Sequence, residues 1–237
     1  PLSIMAVTFT NKAAGEMRAR AQDLLHTPTR GLWVGTFHGI AHRLLRTHHV
    51  EADLPETFQI LDSDDQQRLV KRVIRDLGMN EEQWPPRQAQ WMINNWKDEG
   101  KRPSQILRDD NPITMGWRNI YQAYQDQCQR NGVVDFAELL LRAYELWQQK
   151  PDLLAHYRGR IKHLLVDEFQ DTNSVQYAWL KLLAGQEGQL FVVGADDQSI
   201  YGWRGARVEN LKDFVNDFKP STIRLEQNYR STGNILA

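Results

Sequence analysis

Apolar residues gather in short runs along this chain, and turn-forming residues separate the runs. Residues 3–9, 32–35, 161–166, 190–194 and 222–225 read as strands. Helical periodicity follows or separates them. One such stretch covers residues 13–25. Another covers 175–183, where Val175, Trp179 and Leu182/Leu183 share a face. Buried strands alternating with helices predict an α/β domain with a mostly parallel sheet.

The stretch 37–160 has a different texture, because no run in it reads as a strand. Ser63 is placed to cap a helix whose stripe is Leu69, Val70, Val73, Ile74 and Leu77, with Gly78 ending it. Asp135-Phe136-Ala137-Glu138 resembles a capping box ahead of Leu139, Leu140, Ala143 and Leu146. Trp84-Pro85-Pro86 and Arg102-Pro103 break one helix from the next. The predicted organisation is a sheet domain in two parts, 1–36 and 161–237, with a helical insertion at 37–160. Arg68, Lys71, Arg72 and Arg75 make a basic helix face, balanced by Asp64, Asp65 and Asp76. Such a face is usually solvated, and contact with duplex DNA is the alternative. His48-His49 reads as a solvated helix end.

Composition narrows the class only a little. A hydrophobic share of 41% is enough for a real core. A formal net charge of -1 neither requires nor excludes nucleic acid, since a basic groove can coexist with an acidic outer face. Cys128 is the sole cysteine, so no intrachain disulfide can form, and a reducing compartment is expected. No apolar run approaches the roughly 20 residues that a membrane span needs, which gives the cytoplasm as the expected location. The chain opens directly on an apolar strand, and residues 231–237 read as a helix just beginning. Both ends therefore suggest a piece of a longer protein.

The chemistry starts at Leu164-Leu165-Val166-Asp167-Glu168. A strand ending in two carboxylates presents them where α/β sheets bind ligands. Asp167 suits Mg²⁺, a hard cation that takes oxygen ligands. Glu168 suits orienting or deprotonating a water aimed at a phosphate. By itself such a pair also fits a solvated acidic turn.

Five blocks extend the pattern: AVTFTNKAAGEM (6–17), VGTFHGIAHRLL (34–45), LLVDEFQD (164–171), VVGADDQSIYGWRGA (192–206) and IRLEQNYRS (223–231). In this order and spacing they resemble superfamily 1A DNA helicases of the UvrD/Rep/PcrA group. The segment WPPRQAQWMINNWKDEG (84–100) draws the resemblance toward the UvrD branch. It covers essentially the whole chain. It implies a RecA-like P-loop NTPase fold with a helical insertion, and an ATP-dependent 3′→5′ helicase acting on single-stranded DNA and on single-strand/duplex junctions in repair. Repair proteins are possible further partners, and the expected setting is the bacterial nucleoid.

The resemblance also implies roles. Asp167 holds Mg²⁺ and Glu168 serves the attacking water. Gln198 senses the γ-phosphate; an amide can donate to phosphate and accept from water. Tyr229 stacks on adenine, and Arg230 reaches the γ-phosphate with a guanidinium suited to that geometry. On the DNA side, Trp203 stacks on unpaired bases, Tyr201 assists and Arg204 adds a cation. Phe9, Thr10 and Asn11 leave one strand for a helix, and Thr36, Phe37 and His38 leave another. Hydroxyls, an amide and free backbone N–H groups there can take a DNA phosphate, and Phe9 can wedge against a base. His38 and His42 have a spacing that zinc ligands use, but no third ligand is nearby.

Two departures stand out. No stretch matches the phosphate-binding pattern GxxxxGK[ST], which in the family precedes the first strand seen here. These residues alone are therefore expected to be inactive on ATP. Ala195 stands where the family usually has Asp. The alternative readings are a single-stranded-DNA-binding module that does not hydrolyse ATP, and a docking surface on the helical insertion.

Overall fold

The computed structural model describes residues 2–26, 29, 31–106, 111–195, 202, 205–227 and 229. In chain order the elements are β1 (Ile4–Thr8), α1 (Asn11–Leu25), β2 (Trp33–Thr36), α2 (Phe37–Thr47), β3 (Gln59–Ile60), α3 (Ser63–Asp76), α4 (Pro86–Asp98), α5 (Pro112–Asn131), β4 (Val133–Val134), α6 (Phe136–Gln149), α7 (Pro151–Arg160), β5 (His163–Val166), α8 (Ser174–Ala184), β6 (Gln189–Val192) and α9 (Glu209–Phe218). Short 3-10 turns occupy Pro103–Gln105 and Phe169–Asp171.

The main sheet is parallel throughout, in the order β2-β1-β5-β6. Side chains alternate across it. Met5 lies beside Leu164, and Val7 beside Val166, and all four are buried. Phe37, Leu44, Leu140, Trp147, Trp179 and Leu180 complete this core from α2, α6 and α8. The expectation of buried strands holds for that face only. On the other face Ile4, Leu165 and Phe191 are exposed, Phe191 by 60%. There α1 lies beside β2, with Arg18 bonding the Val34 carbonyl.

A second apolar cluster joins α3, α4 and α5 through Val70, Ile74, Ile93, Ile120 and Tyr121. Thus α2, α6 and α7, which the sequence pattern groups with the helical insertion, bury their faces in the sheet's core. The insertion also holds a minimal parallel pairing of β3 with β4 that no apolar run announced. A two-residue strand is too short to show a period. Residues 222–225 form no strand, and Ile223 and Leu225 are 82% and 89% exposed. Their apolar alternation is real, but alternation makes a strand only where a neighbouring edge can pair with it.

The caps follow local chemistry with small shifts. Asp62, not Ser63, caps α3 by accepting from the Asp65 N–H. Asp135 caps α6 through the Glu138 N–H, yet the Glu138 side chain does not close a capping box. It enters a buried ion cluster instead. Lys97 Nζ lies 2.6 Å from Asp135 and 2.9 Å from Glu138. Arg102 grips Glu138 with two bonds and also binds Glu145. Arg142 adds a third cation to Glu138, and Tyr124 donates to Asp135 at 2.7 Å. The cluster fastens α4 and α5 to the start of α6, and so the helical unit to the sheet core. His48, expected in solvent, is instead partly buried and shares a 2.9 Å hydrogen bond with the Tyr157 hydroxyl.

Glycine on a helix costs about 1 kcal/mol relative to alanine when nothing else needs it. Gly15 on α1 has open space around it, so Gly15→Ala should stabilise by roughly 0.5–1 kcal/mol. Gly116 on α5 is the opposite case. A Cβ there would lie 2.0 Å from the Trp84 ring. That ring is held edge-on against Trp117 at 4.7 Å and can yield only by losing that contact. Gly116→Ala should therefore destabilise by about 1–3 kcal/mol. Urea midpoints for the two variants should move in opposite directions, and a shared direction contradicts this packing.

Candidate functional site

In a parallel sheet every strand delivers its carboxyl end to the same edge. Read across that edge in strand order, β2 delivers Thr36-Phe37-His38, and β1 delivers Phe9-Thr10-Asn11. Next, β5 delivers Asp167-Glu168, and β6 delivers Val193-Gly194-Ala195. The two threonine-capped turns therefore sit beside the acidic pair, although Thr36 and Asp167 are 131 positions apart in the chain.

The acidic turn is bound on both sides. Asp167 N–H donates to the Val7 carbonyl at 3.0 Å, and Phe169 N–H donates to the Val193 carbonyl at 2.9 Å. Glu168 adopts a left-handed backbone with φ 52°. A non-glycine residue there is strained, and such strain persists where the surroundings over-determine it. Phe169 anchors the turn from below against Tyr177 and Phe214. Thr172 is buried, and Asn210 on α9 bonds its carbonyl and hydroxyl. Asn173 then opens α8 in a reciprocal cap with Gln176.

Burial, and then the neighbouring Glu168, hold the Asp167 carboxyl above the ordinary carboxylate range. The same two causes raise Asp171. Adjacent acids that oppose each other's ionisation are eased by a hard cation, so the donor chemistry fits Mg²⁺. The described residues contain no ready cluster of three or more His, Cys, Asp or Glu ligands. Mg²⁺ can be held by one or two carboxylates, with water and substrate phosphates completing its shell.

On the β1/β2 side, Thr10 caps α1 by accepting from Ala13 N–H, and Thr36 caps α2 by accepting from Gly39 N–H. Their hydroxyls are thus partly committed to the helices. Asn11 is exposed at the first turn of α1. Phe9 packs against Phe37 at 5.3 Å. Phe37 itself belongs to the core and backs Phe9. A cavity of about 580 Å³ opens between these turns and the helical unit. Phe9, Phe37 and His38 line one wall, Trp91, Asn94 and Asn95 the other, and Asp98, Asp171 and Asn173 the end. Asp98 accepts from the Asn173 amide at 3.0 Å, and burial pushes its carboxyl up to about 7. Asp171 Oδ1 is buried without a hydrogen-bond partner among the described residues. The described lining includes no Lys or Arg, so its aromatic and carboxamide walls suit a neutral base better than a phosphate.

Burial lowers His38 to about 4, which keeps its ring neutral beside Phe136. Its folded value lies below the ordinary 6.5, so the unfolded chain takes the proton first. Stability should therefore fall as pH drops from 6.5 toward 4. An NMR histidine titration should show His38 neutral until near pH 4, and a midpoint at 6.5 would contradict the burial. His42 takes no part, because its Nε2 accepts from Arg46.

Tyr229 stands 86% exposed. Gln198, Tyr201, Trp203, Arg204 and Arg230 lie outside the described residues. The sequence pattern missed Trp91, Asp98 and Gln170. Trp91 carried a signal: it lies off the buried stripe Ala89, Ile93 and Trp96 and is 57% exposed. Asp98 carried none, because its partner Asn173 is 75 residues away. Gln170 stands in the block LLVDEFQD, but its bond to Ala195 spans 25 residues.

Comparison with known proteins agrees with this geometry. Residues 1–219 match the family model described as UvrD/REP helicase N-terminal domain. The chain is 64% identical to DNA helicase II of Salmonella typhimurium and 64% identical to DNA helicase II of Escherichia coli, with all of the chain and 33% of each relative aligned. It is 44% identical to ATP-dependent DNA helicase PcrA of Leuconostoc citreum, over all of the chain and 32% of that relative. The chain thus spans about a third of the length of these relatives. With strand order, acidic turn and family match in agreement, the chain belongs to the UvrD/REP helicase N-terminal domain family.

Proposed function

We propose that this chain supplies the RecA-like first motor domain of an ATP-dependent 3′→5′ DNA helicase that moves along single-stranded DNA and opens duplex during repair. One observation carries the reading: the acidic pair and the DNA-type turns leave adjacent strands of one parallel sheet at the same edge. A change at the nucleotide is then one strand away from the DNA path.

Asp167 holds Mg²⁺, which when bound offsets charge on the ATP phosphates. Glu168 orients the attacking water and takes its proton. Gln198 senses the γ-phosphate, Arg230 stabilises the charge that develops there, and Tyr229 stacks on adenine. Phe9, Thr10, Asn11, Thr36, Phe37 and His38 form one side of the DNA path, with Tyr201, Trp203 and Arg204 forming the other. Trp91, Asn94 and Asn95 extend it onto the helical insertion of residues 37–160. The partners are single-stranded DNA and its junctions with duplex, together with repair proteins, in the cytoplasm. No stretch of the 237 residues matches GxxxxGK[ST], so they are not expected to turn over ATP alone.

The test uses the full-length protein with ATP and two duplexes, one with a 3′ and one with a 5′ single-stranded tail. Opening of the 3′-tailed duplex alone is expected. It should vanish with Asp167→Asn, and Phe9→Ala should weaken single-strand affinity by about tenfold or more. Preference for the 5′ tail, or opening that survives Asp167→Asn, defeats the proposal.

A further inference from the structure

We propose that Gln170 is a positioning residue: it fixes the Glu168 carboxylate and couples it to the backbone of the loop that leaves β6. The inference rests on the reading of Glu168 as the water-orienting carboxylate.

Gln170 is 1% exposed, so both ends of its amide need partners inside the protein. Its Nε2 donates to Glu168 Oε2 at 2.6 Å. Its Oε1 accepts from the Ala195 N–H at 3.1 Å. The two partners make opposite demands. A carboxylate needs a donor, and a backbone N–H needs an acceptor. Only one orientation of one amide meets both, and neither a carboxylate nor an apolar side chain of that length can.

Two further features hold the link in place. Phe169 N–H donates to the Val193 carbonyl, so the acidic turn and the loop are already in register. Gly194 then passes close to Gln170, where an added Cβ would lie 2.7 Å from Oε1. Glycine is what allows the loop to come near enough for the Ala195 bond. That bond uses only the backbone of residue 195, so it does not depend on the side chain there. From Ala195 the chain continues into Asp196, Asp197 and Gln198. A shift of this backbone therefore pulls on Gln170, and Gln170 on the carboxylate. Since the Glu168 backbone is held in the left-handed region, its side-chain torsions are the freedom left for Gln170 to set.

The experiment is steady-state ATP hydrolysis by the full-length protein, with and without saturating single-stranded oligonucleotide. Gln170→Ala removes both bonds. Gln170→Glu keeps size and the acceptor for Ala195 but loses the donor to Glu168. Each should lower DNA-stimulated kcat by about 10–100-fold, the range seen when groups that orient a reactive ligand are removed. KM for ATP and Kd for the oligonucleotide should stay near wild type, while Tm falls modestly because buried groups lose their partners. Wild-type kcat in both variants overturns the proposal. So does a fall in kcat matched by equal losses in KM for ATP and Kd for the oligonucleotide, because that marks a merely structural role. Glu168→Gln is measured in parallel. If it abolishes turnover while the Gln170 variants hydrolyse normally, only this inference falls. If turnover survives Glu168→Gln, the reading of Glu168 falls as well.

Discussion

Replacing Lys97 with alanine should cost about 3–5 kcal/mol of folding stability, the cost expected when a buried ion pair loses one partner. Lys97 is fully buried, between two carboxylates at 2.6 and 2.9 Å. Burial alone would lower its pKa, but Asp135 and Glu138 reverse that and hold it above the ordinary lysine range. Without the ammonium, Glu138 keeps Arg102 and Arg142. Among the described residues, the Asp135 carboxylate keeps only the Tyr124 hydroxyl and the Glu138 N–H. An ionised carboxylate would then be buried with neutral donors alone. Pairing Lys97→Met with Asp135→Asn should recover part of the loss, because asparagine still caps α6 and carries no charge. Urea denaturation of the single and double variants measures this. A loss under about 1 kcal/mol for Lys97→Ala, the value of an exposed pair, would show that the cluster is solvated. Acid should weaken the same cluster. Burial would raise Glu138, yet Arg102, Lys97 and Arg142 hold it well below the usual carboxylate range. Its contribution is therefore present above the unfolded value and is lost as pH falls through the folded one.

The second large effect is chemical. Glu168→Gln in the full-length protein should lower ATP turnover by about 10²–10⁴-fold. Glutamine matches the size of glutamate and can still accept from Gln170, but it cannot take a proton from water. Binding should survive, because the change removes one negative charge near the phosphates, so KM for ATP should hold or fall. Asp167→Asn should abolish turnover and also raise KM, because it removes an oxygen charge suited to Mg²⁺. Turnover within tenfold of wild type for Glu168→Gln would remove that side chain from the chemistry.

What the sequence disclosed followed the range of the interaction. Leu164-Leu165-Val166 announced β5 because a buried strand is written in its own residues. The Asp and Glu after it announced a ligand edge because parallel strands share one. Thr36 and Asp135 announced helix starts because a cap acts three residues ahead. The ion cluster stayed hidden because Lys97 and Asp135 lie 38 residues apart, and Glu138 looked like half of a capping box. Gln170 stayed hidden for the same reason, since its acceptor role is met 25 residues away. The exposed sheet face and the unpaired run at 222–225 mark the converse limit. Alternation tells which side chains share a face, but not whether anything covers it.

The left-handed backbone at Glu168 also sets two kinds of selection against each other. Glycine adopts φ 52° freely, whereas glutamate pays about 1–3 kcal/mol to hold it. A library of variants sorted for folding alone would accept glycine at 168, and one sorted for ATP turnover would discard it. Disagreement between the two rankings at this one position would separate what the chain needs to fold from what it keeps for chemistry.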